Sequence, residues 1–318
     1  KEVCEFLENL IEQGLLEHVK QLPERLETGR DIAEFCLHPR FIDIKKEERK
    51  RRQDKPGSRF QPPVNEGRRS DMMPSQEQSL RESGENRVVP QLLSPPRGRV
   101  VLEGEPGEGK TTALWLMVTQ QCMELRERLR DGESISTSEY RVPLVLPLIG
   151  VNLGVDHTDK PHLTHLARDF VLRLAYEPKN APKKLRAWLD AKIERGEYTL
   201  YLDALDELPG AEPARAWLWS QSNRLLKEDV PLLLTTQTSV SHDIEIRNPE
   251  RYRMAHLATG EVHDFVSRYF TDKPYLVRDV LDRQQVSPKI RQLMQLPMLL
   301  ALLCQRKQRY PTEPLPRT

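Results

Sequence analysis

The sequence predicts an α/β fold: a parallel β-sheet with helices on both faces, followed by a small helical domain. Three observations carry this. Between residues 99 and 257, short apolar runs alternate with stretches of helical period, the pattern of parallel strands joined by crossover helices. A glycine-rich turn, GEPGEGKT at 104–111, sits between the first such run and the helix after it. From Thr259 onward the pattern is helical only.

The elements follow in order. Residues 3–22 place Val3, Phe6, Leu7, Leu10, Ile11 and Leu15 at helical spacing with one buried face. A second short helix is expected at 29–37, and PRFIDI (39–44) reads as extended. RVVLEG (99–104) reads as a buried strand and 113–132 as a helix that ends near Gly132. RVPLVLPLIGV (141–151) is the next strand, and helices follow at 162–176 and 183–195. EYTLYLDALDEL (197–208) starts as a strand, and 213–228 is a helix. VPLLLTTQ (230–237) and RYRMAHL (251–257) are further strands. Four helices close the pattern, at 260–271, 274–284, 287–296 and 298–308. No internal repeat of fixed period is present.

Bulk composition narrows the class. The 318 residues suffice for one large domain or two modest ones. With 37% hydrophobic and 31% charged residues the chain is soluble and can still build a core. A net charge of +1 argues for no polyanionic partner. No apolar run approaches the roughly 20 residues of a membrane helix, and the acid-rich start, KEVCEFLENL, is no secretory signal. Cys4, Cys36, Cys122 and Cys304 form no CxxC pair, so the expectation is buried reduced thiols in a cytoplasmic protein. The last residues, EPLPRT, read as the cut end of a longer chain.

From Lys45 the composition shifts. Residues 45–59 hold eight basic and three acidic residues, and a Pro/Gly/Ser/Glu-rich tract runs on to about Arg87. Such a tract buries too little apolar surface to offset its ordering entropy and reads as mobile. The basic run could touch nucleic acid or anionic lipid, but no aromatics are interleaved with its charges, and a solvated linker is the simpler reading.

GEPGEGKT fits G-x-x-x-x-G-K-[ST], and its place between strand and helix gives the match weight. Gly104, Gly107 and Gly109, with Glu105, Pro106 and Glu108 between them, let the chain curl tightly and bring its N–H groups against phosphate oxygens. The helix that follows turns its positive dipole end to the same anion. Lys110 would reach the β- and γ-phosphates, the Thr111 hydroxyl would ligate Mg²⁺, and Thr112 would support the α-phosphate. A mere helix cap needs neither Lys110 nor three glycines.

Such a loop needs a carboxylate at the end of a neighbouring strand. In YTLYLDALDE, Asp203 follows the apolar run, 93 residues after Lys110, where it can hold Mg²⁺ through water. Ala204 is small and leaves room beside the phosphates. Asp206 and Glu207 follow, and Glu207 is the better candidate to orient or deprotonate the attacking water. A helix start decorated with acids would look similar in isolation. A further strand between the two motif strands in the chain fits the P-loop branch, ASCE and AAA+-like, in which another strand separates them in the sheet. A guanine-specific enzyme would carry N-K-x-D; TDKP at 271–274 has the wrong order, so adenine is expected.

These residues resemble the NACHT family of signal-transduction ATPases, in the STAND class of P-loop NTPases, which includes animal inflammasome receptors and bacterial antiphage proteins. VVLEGEPGEGKTTALW looks like the family's first motif and LYLDALDEL its acidic motif. VPLLLTTQTS falls where the family has its sensor 1 strand, and HLATGEVHDFVSRYF resembles the segment that enters its first helical domain. LPMLLALLC (296–304) resembles the element whose proline, here Pro297, packs on the nucleotide base; FIDI resembles the lead-in to the fold. The resemblance spans roughly residues 40–310. It departs at Gln237, where the family has an arginine near the γ-phosphate; a neutral amide implies weak hydrolysis or weak γ-phosphate sensing. The family's winged-helix domain would begin near residue 318.

The organisation implied is an N-terminal helical and extended segment at 1–44, a charged linker at 45–95, a NACHT nucleotide-binding domain at 96–258 and helical domain 1 at 259–318. The function implied is a slow, nucleotide-switched ATPase that binds ATP or ADP with Mg²⁺ and self-associates on activation, in innate immune, antiphage defence. Its trigger ligand is not legible. Two other readings are an AAA+-like ATPase acting on nucleic acid and a nucleotide-stabilised scaffold with little hydrolysis. The His162/His165 pair has no third ligand and reads as surface, Trp217 and Trp219 read as packing or rim residues, and Met294, Met298, Leu293, Leu296 and Leu299 read as core that could also help line the base pocket.

Overall fold

A computed structural model describes residues 2–18, 41–44, 96–131, 141–149, 151, 162–176, 180–208, 215–221, 230–239, 246, 248–286 and 288–313. The helix expected at 29–37, the charged tract 45–95 and most of 213–228 lie outside the described residues.

Six strands form one sheet: β1 (Phe41–Asp43), β2 (Arg99–Glu103), β3 (Val142–Pro147), β4 (Tyr198–Asp203), β5 (Leu232–Thr236) and β6 (Glu250–Met254), in the order β1-β6-β2-β5-β4-β3. Every pairing is parallel except β1 with β6, an antiparallel edge supplied by the FIDI stretch. The strand between β2 and β4 is β5, while β3, which lies between them in the chain, stands at the sheet's edge. β4 is buried along its whole length, and β2 from Val100 on. Burial on both faces explains why these runs are almost continuously apolar. Tyr201 and Thr199 face a helix, and Tyr198, Leu200 and Leu202 are buried on the other face, so both faces are covered.

Helices α1 (Glu2–His18), α2 (Lys110–Arg130), α3 (Leu163–Ala175) and α4 (Lys183–Glu194) flank the sheet. α2 starts three residues earlier than its apolar pattern implies, which puts Thr111 and Thr112 in its first turn. α1 packs on α2 and α3, and Phe6, Leu7, Leu10 and Ile11 join the core of the sheet. Gly14 makes that approach possible, because a Cβ there would stand 2.2 Å from the Trp115 ring. The boundary at residue 44 is therefore one of composition and not of packing. Trp217 and Trp219 are buried in the same core, as expected.

The last four helices are α5 (Thr259–Tyr269), α6 (Pro274–Val286), α7 (Pro288–Met294) and α8 (Pro297–Arg309). Three of them open on proline, whose fixed φ suits a first helical position and whose missing N–H costs nothing there. They share a core of their own, built on Val262, Phe265, Val266, Leu276, Met294 and Leu300. Met294 is core as expected, but Met298 is 40% exposed and Leu293 37%. The buried stripe of α8 runs through Leu300, Ala301 and Cys304, which turns Met298 away from the helical core. No described helix is long and apolar enough to cross a membrane. Of the described cysteines, all free, Cys122 and Cys304 are buried and Cys4 is half-buried.

Candidate functional site

Parallel strands bring their C-terminal ends to one edge of the sheet. β2, β5 and β4 thus present, side by side, the glycine turn, Gln237 and the acidic turn. The Gly104 N–H donates to the Thr236 carbonyl at 3.2 Å, which ties the start of the glycine turn to the end of β5.

The turn then curls through two left-handed residues, Gly107 at φ 84° and Gly109 at φ 90°. L-residues with side chains resist this region, so the motif's spacing has a backbone cause. Glu108 braces the curl from within. Its buried carboxylate accepts the Glu105 N–H at 2.7 Å, and its own N–H donates to the Glu105 carbonyl at 3.3 Å. Glu105 and Pro106 are exposed at the tip. Gly109 caps α2 without a side-chain bond, and the first turn of α2 holds no acidic residue. That leaves the positive end of a 21-residue helix without an anionic side chain of its own.

Lys110 is the first residue of α2, and its ammonium folds back over the turn. Nζ donates to the Gly104 carbonyl at 2.7 Å and the Glu105 carbonyl at 3.1 Å. Partial burial lowers its pKa, against the opposing pull of Asp206, Glu108, Asp203 and Glu105. The lysine thus stands in the field of both turns. Thr111 and Thr112 are half-buried beside it.

The acidic turn is pinned to β5. The β4–β5 ladder stops at the pair Leu202 and Leu234. Beyond it the Thr235 hydroxyl donates to Asp203 Oδ1 at 2.5 Å and accepts the Ala204 N–H at 2.8 Å. Ala204 is itself left-handed, at φ 58°. A single 3₁₀ turn, Leu205–Glu207, follows. Within it the Asp206 carboxylate accepts the Gln237 N–H at 3.0 Å. Glu207 is exposed, and its carboxylate has no partner among the described residues. Thr236 Oγ1, next to Gln237, is buried and has no partner among them either.

Pro297 and Met298 reach the glycine turn from α8. The Met298 N–H donates to the Gly107 carbonyl at 3.2 Å, and the Pro297 ring lies 3.8 Å from where a Gly109 Cβ would stand. A second bridge joins Glu108 Oε1 to His256 Nε2 at 2.9 Å. His256 did not stand out in the sequence as a site residue, and Met298 did so only as a core residue that could also line the base pocket. Both contacts span well over a hundred residues, which no local pattern encodes.

No protein-family model matches the chain, and no curated protein matches it.

The residues that would take part in holding a magnesium-bound phosphate are Asp203 and Thr111. No group of three or more His, Cys, Asp or Glu among the described residues could hold a metal alone. Asp203 and Thr111 would need phosphate oxygens and water to complete the shell, which is how Mg²⁺ is ordinarily bound with nucleotides. His162 and His165 have ring centroids 5.7 Å apart and belong to no metal-holding group among the described residues.

Proposed function

We propose that this chain is the nucleotide-binding and first helical part of a NACHT-type, P-loop signalling ATPase, which binds ATP or ADP with Mg²⁺ and self-associates when activated. One observation carries the reading: the glycine turn after β2 and the acidic turn after β4 share a sheet edge, with Lys110 between them in charge. A left-handed glycine curl at an uncapped helix start is a ready-made anion cradle.

The roles follow from placement. The main-chain N–H groups of Gly107 and Gly109, with Lys110, would hold the phosphates; binding would require Nζ to exchange the Gly104 and Glu105 carbonyls for phosphate oxygens. Thr111 and Asp203 would hold Mg²⁺, which neutralises phosphate charge when bound. Glu207, exposed and without a partner among the described residues, would orient water. Gln237, an amide where an arginine would stabilise charge, supports slow turnover. Pro297 and Met298 tie the helical unit to the cradle, the kind of contact through which a bound nucleotide can bias a two-state arrangement. Innate immune, antiphage defence is the setting the resemblance implies.

The test is calorimetric binding of Mg-ATP and ADP to the native chain and to Lys110→Ala, with circular dichroism to establish that both are folded. The expected result is loss of binding in the variant. Equal affinity in a folded variant overturns the reading.

A further inference from the structure

The acidic turn holds two adjacent carboxylates, and the structure gives them different work. We infer that Asp206 is a positioning residue: its carboxylate, by accepting the Gln237 N–H, sets where Gln237 stands beside the phosphate cradle, and Glu207 alone is left to act on water. The inference rests on the nucleotide reading above and refines it.

The argument begins at the end of β5. Ladder pairing between β4 and β5 ceases at Leu202 and Leu234, so the chain from Thr235 to Gln237 has no strand partner on that side. A half-buried backbone N–H left without an acceptor there would be costly. Side chains replace the ladder. Thr235 bonds to Asp203 and Ala204, and Gln237 bonds to Asp206 at 3.0 Å. The second bond reaches furthest along the edge and governs the residue nearest the glycine turn's own anchor, the Thr236 carbonyl that accepts the Gly104 N–H.

A water-activating base must have an oxygen free to take a proton within reach of the water. Asp206 spends Oδ1 on a main-chain donor. Glu207 spends neither oxygen on any described residue. The Ala204 carbonyl fixes the Glu207 N–H at 3.0 Å, so Glu207 has a set backbone and a free head.

Asparagine separates position from charge, because its Oδ1 still accepts an N–H while the charge is gone. The experiment compares the native full chain with Asp206→Asn and Asp206→Ala. Two quantities are read: hydrogen exchange over 232–239, and the ratio of ATP to ADP affinity measured with fluorescent nucleotide analogues in Mg²⁺. Asp206→Asn should leave both within about twofold of native, since the acceptor survives. Asp206→Ala should speed exchange at the end of β5 by about tenfold and move the affinity ratio toward one by a similar factor, as expected when a half-buried N–H loses its acceptor. If Asp206→Asn is as damaging to the ratio as alanine, charge and not position is what matters, and the inference fails. It also fails if Asp206→Ala folds and changes neither quantity. The asparagine variant decides the matter should alanine fail to fold. A native chain that binds neither nucleotide overturns the nucleotide reading and this assignment with it, whatever the exchange rates.

Discussion

The Met298 N–H donates to the Gly107 carbonyl at 3.2 Å, joining the first turn of α8 to the glycine turn 191 positions earlier in the chain. The Met298 methyl lies 2.9 Å from where a Cβ on Gly107 would stand, and Gly107 has φ 84°. Gly107→Ala thus meets two costs: left-handed strain, and a clash with the end of a flexible side chain. It should lose about 1–2 kcal/mol in urea unfolding. Met298→Ala in the same chain should recover the clash and leave the strain. An identical loss with and without Met298 would assign the whole effect to φ.

Ala204 sits at φ 58° and ψ 61° between Asp203 and the 3₁₀ turn. Its smallness therefore has a backbone cause besides any room it leaves. Ala204→Gly should stabilise the chain by up to about 1 kcal/mol, as relief of strain outweighs the extra freedom of the unfolded state. Ala204→Val should destabilise it, because a β-branched residue is poorly accommodated there. Denaturant midpoints decide; a glycine variant less stable than native would show that the strain is negligible.

Burial lowers the Lys110 pKa below 10.5, so folding disfavours the charged amine. The native state then binds fewer protons than the unfolded one between the lowered value and 10.5, and stability rises with pH across that window. Below it the charged amine is a net burden. Lys110→Met should raise the melting temperature of the nucleotide-free chain at neutral pH, and the gain should shrink as pH approaches 10.5. A gain that grows with pH would contradict the sign. The measurement is made on chain freed of any anion, since an anion beside Lys110 would reverse the burden.

Gln121, on α2, fastens that helix to the sheet. Its Nε2 donates to the Arg141 carbonyl at 2.8 Å and to Thr199 Oγ1 at 3.1 Å, and its Oε1 accepts the Tyr201 O–H at 2.8 Å. Gln121→Leu would strip partners from buried groups and should cost about 2–4 kcal/mol. Tyr201→Phe should cost about 1 kcal/mol in the native background and less in Gln121→Leu, where its partner is already gone. Urea titration of the four chains measures the coupling; strict additivity would mean the hydrogen bond contributes nothing.

Much of the site was legible because its causes are local. GEPGEGKT announces a left-handed curl through glycine alone, and structure places Gly107 and Gly109 there. YTLYLD announces a buried strand through its apolar run, and Asp203 ends it. The last three helices start at Pro274, Pro288 and Pro297, within one residue of where the chain's pattern put them. By contrast, the sequence reading put Met298 in the core, with the base pocket as its other possible place. Helical phase, set by where α8 buries Leu300 and Cys304, turned it toward the glycine turn instead.

The sequence by itself determined the elements: which runs become strands, where glycine lets the backbone turn left-handed, and which side chains carry charge beside that turn. Only tertiary structure decided their partners. It inserted β5 between β2 and β4, buried α1 against α2, set Glu108 on His256 and divided Asp206 from Glu207 by tying one of them to Gln237. The physical reason is that propensity and periodicity are properties of neighbouring residues, whereas pairing across many positions is settled by which arrangement buries the apolar faces and satisfies the backbone at once.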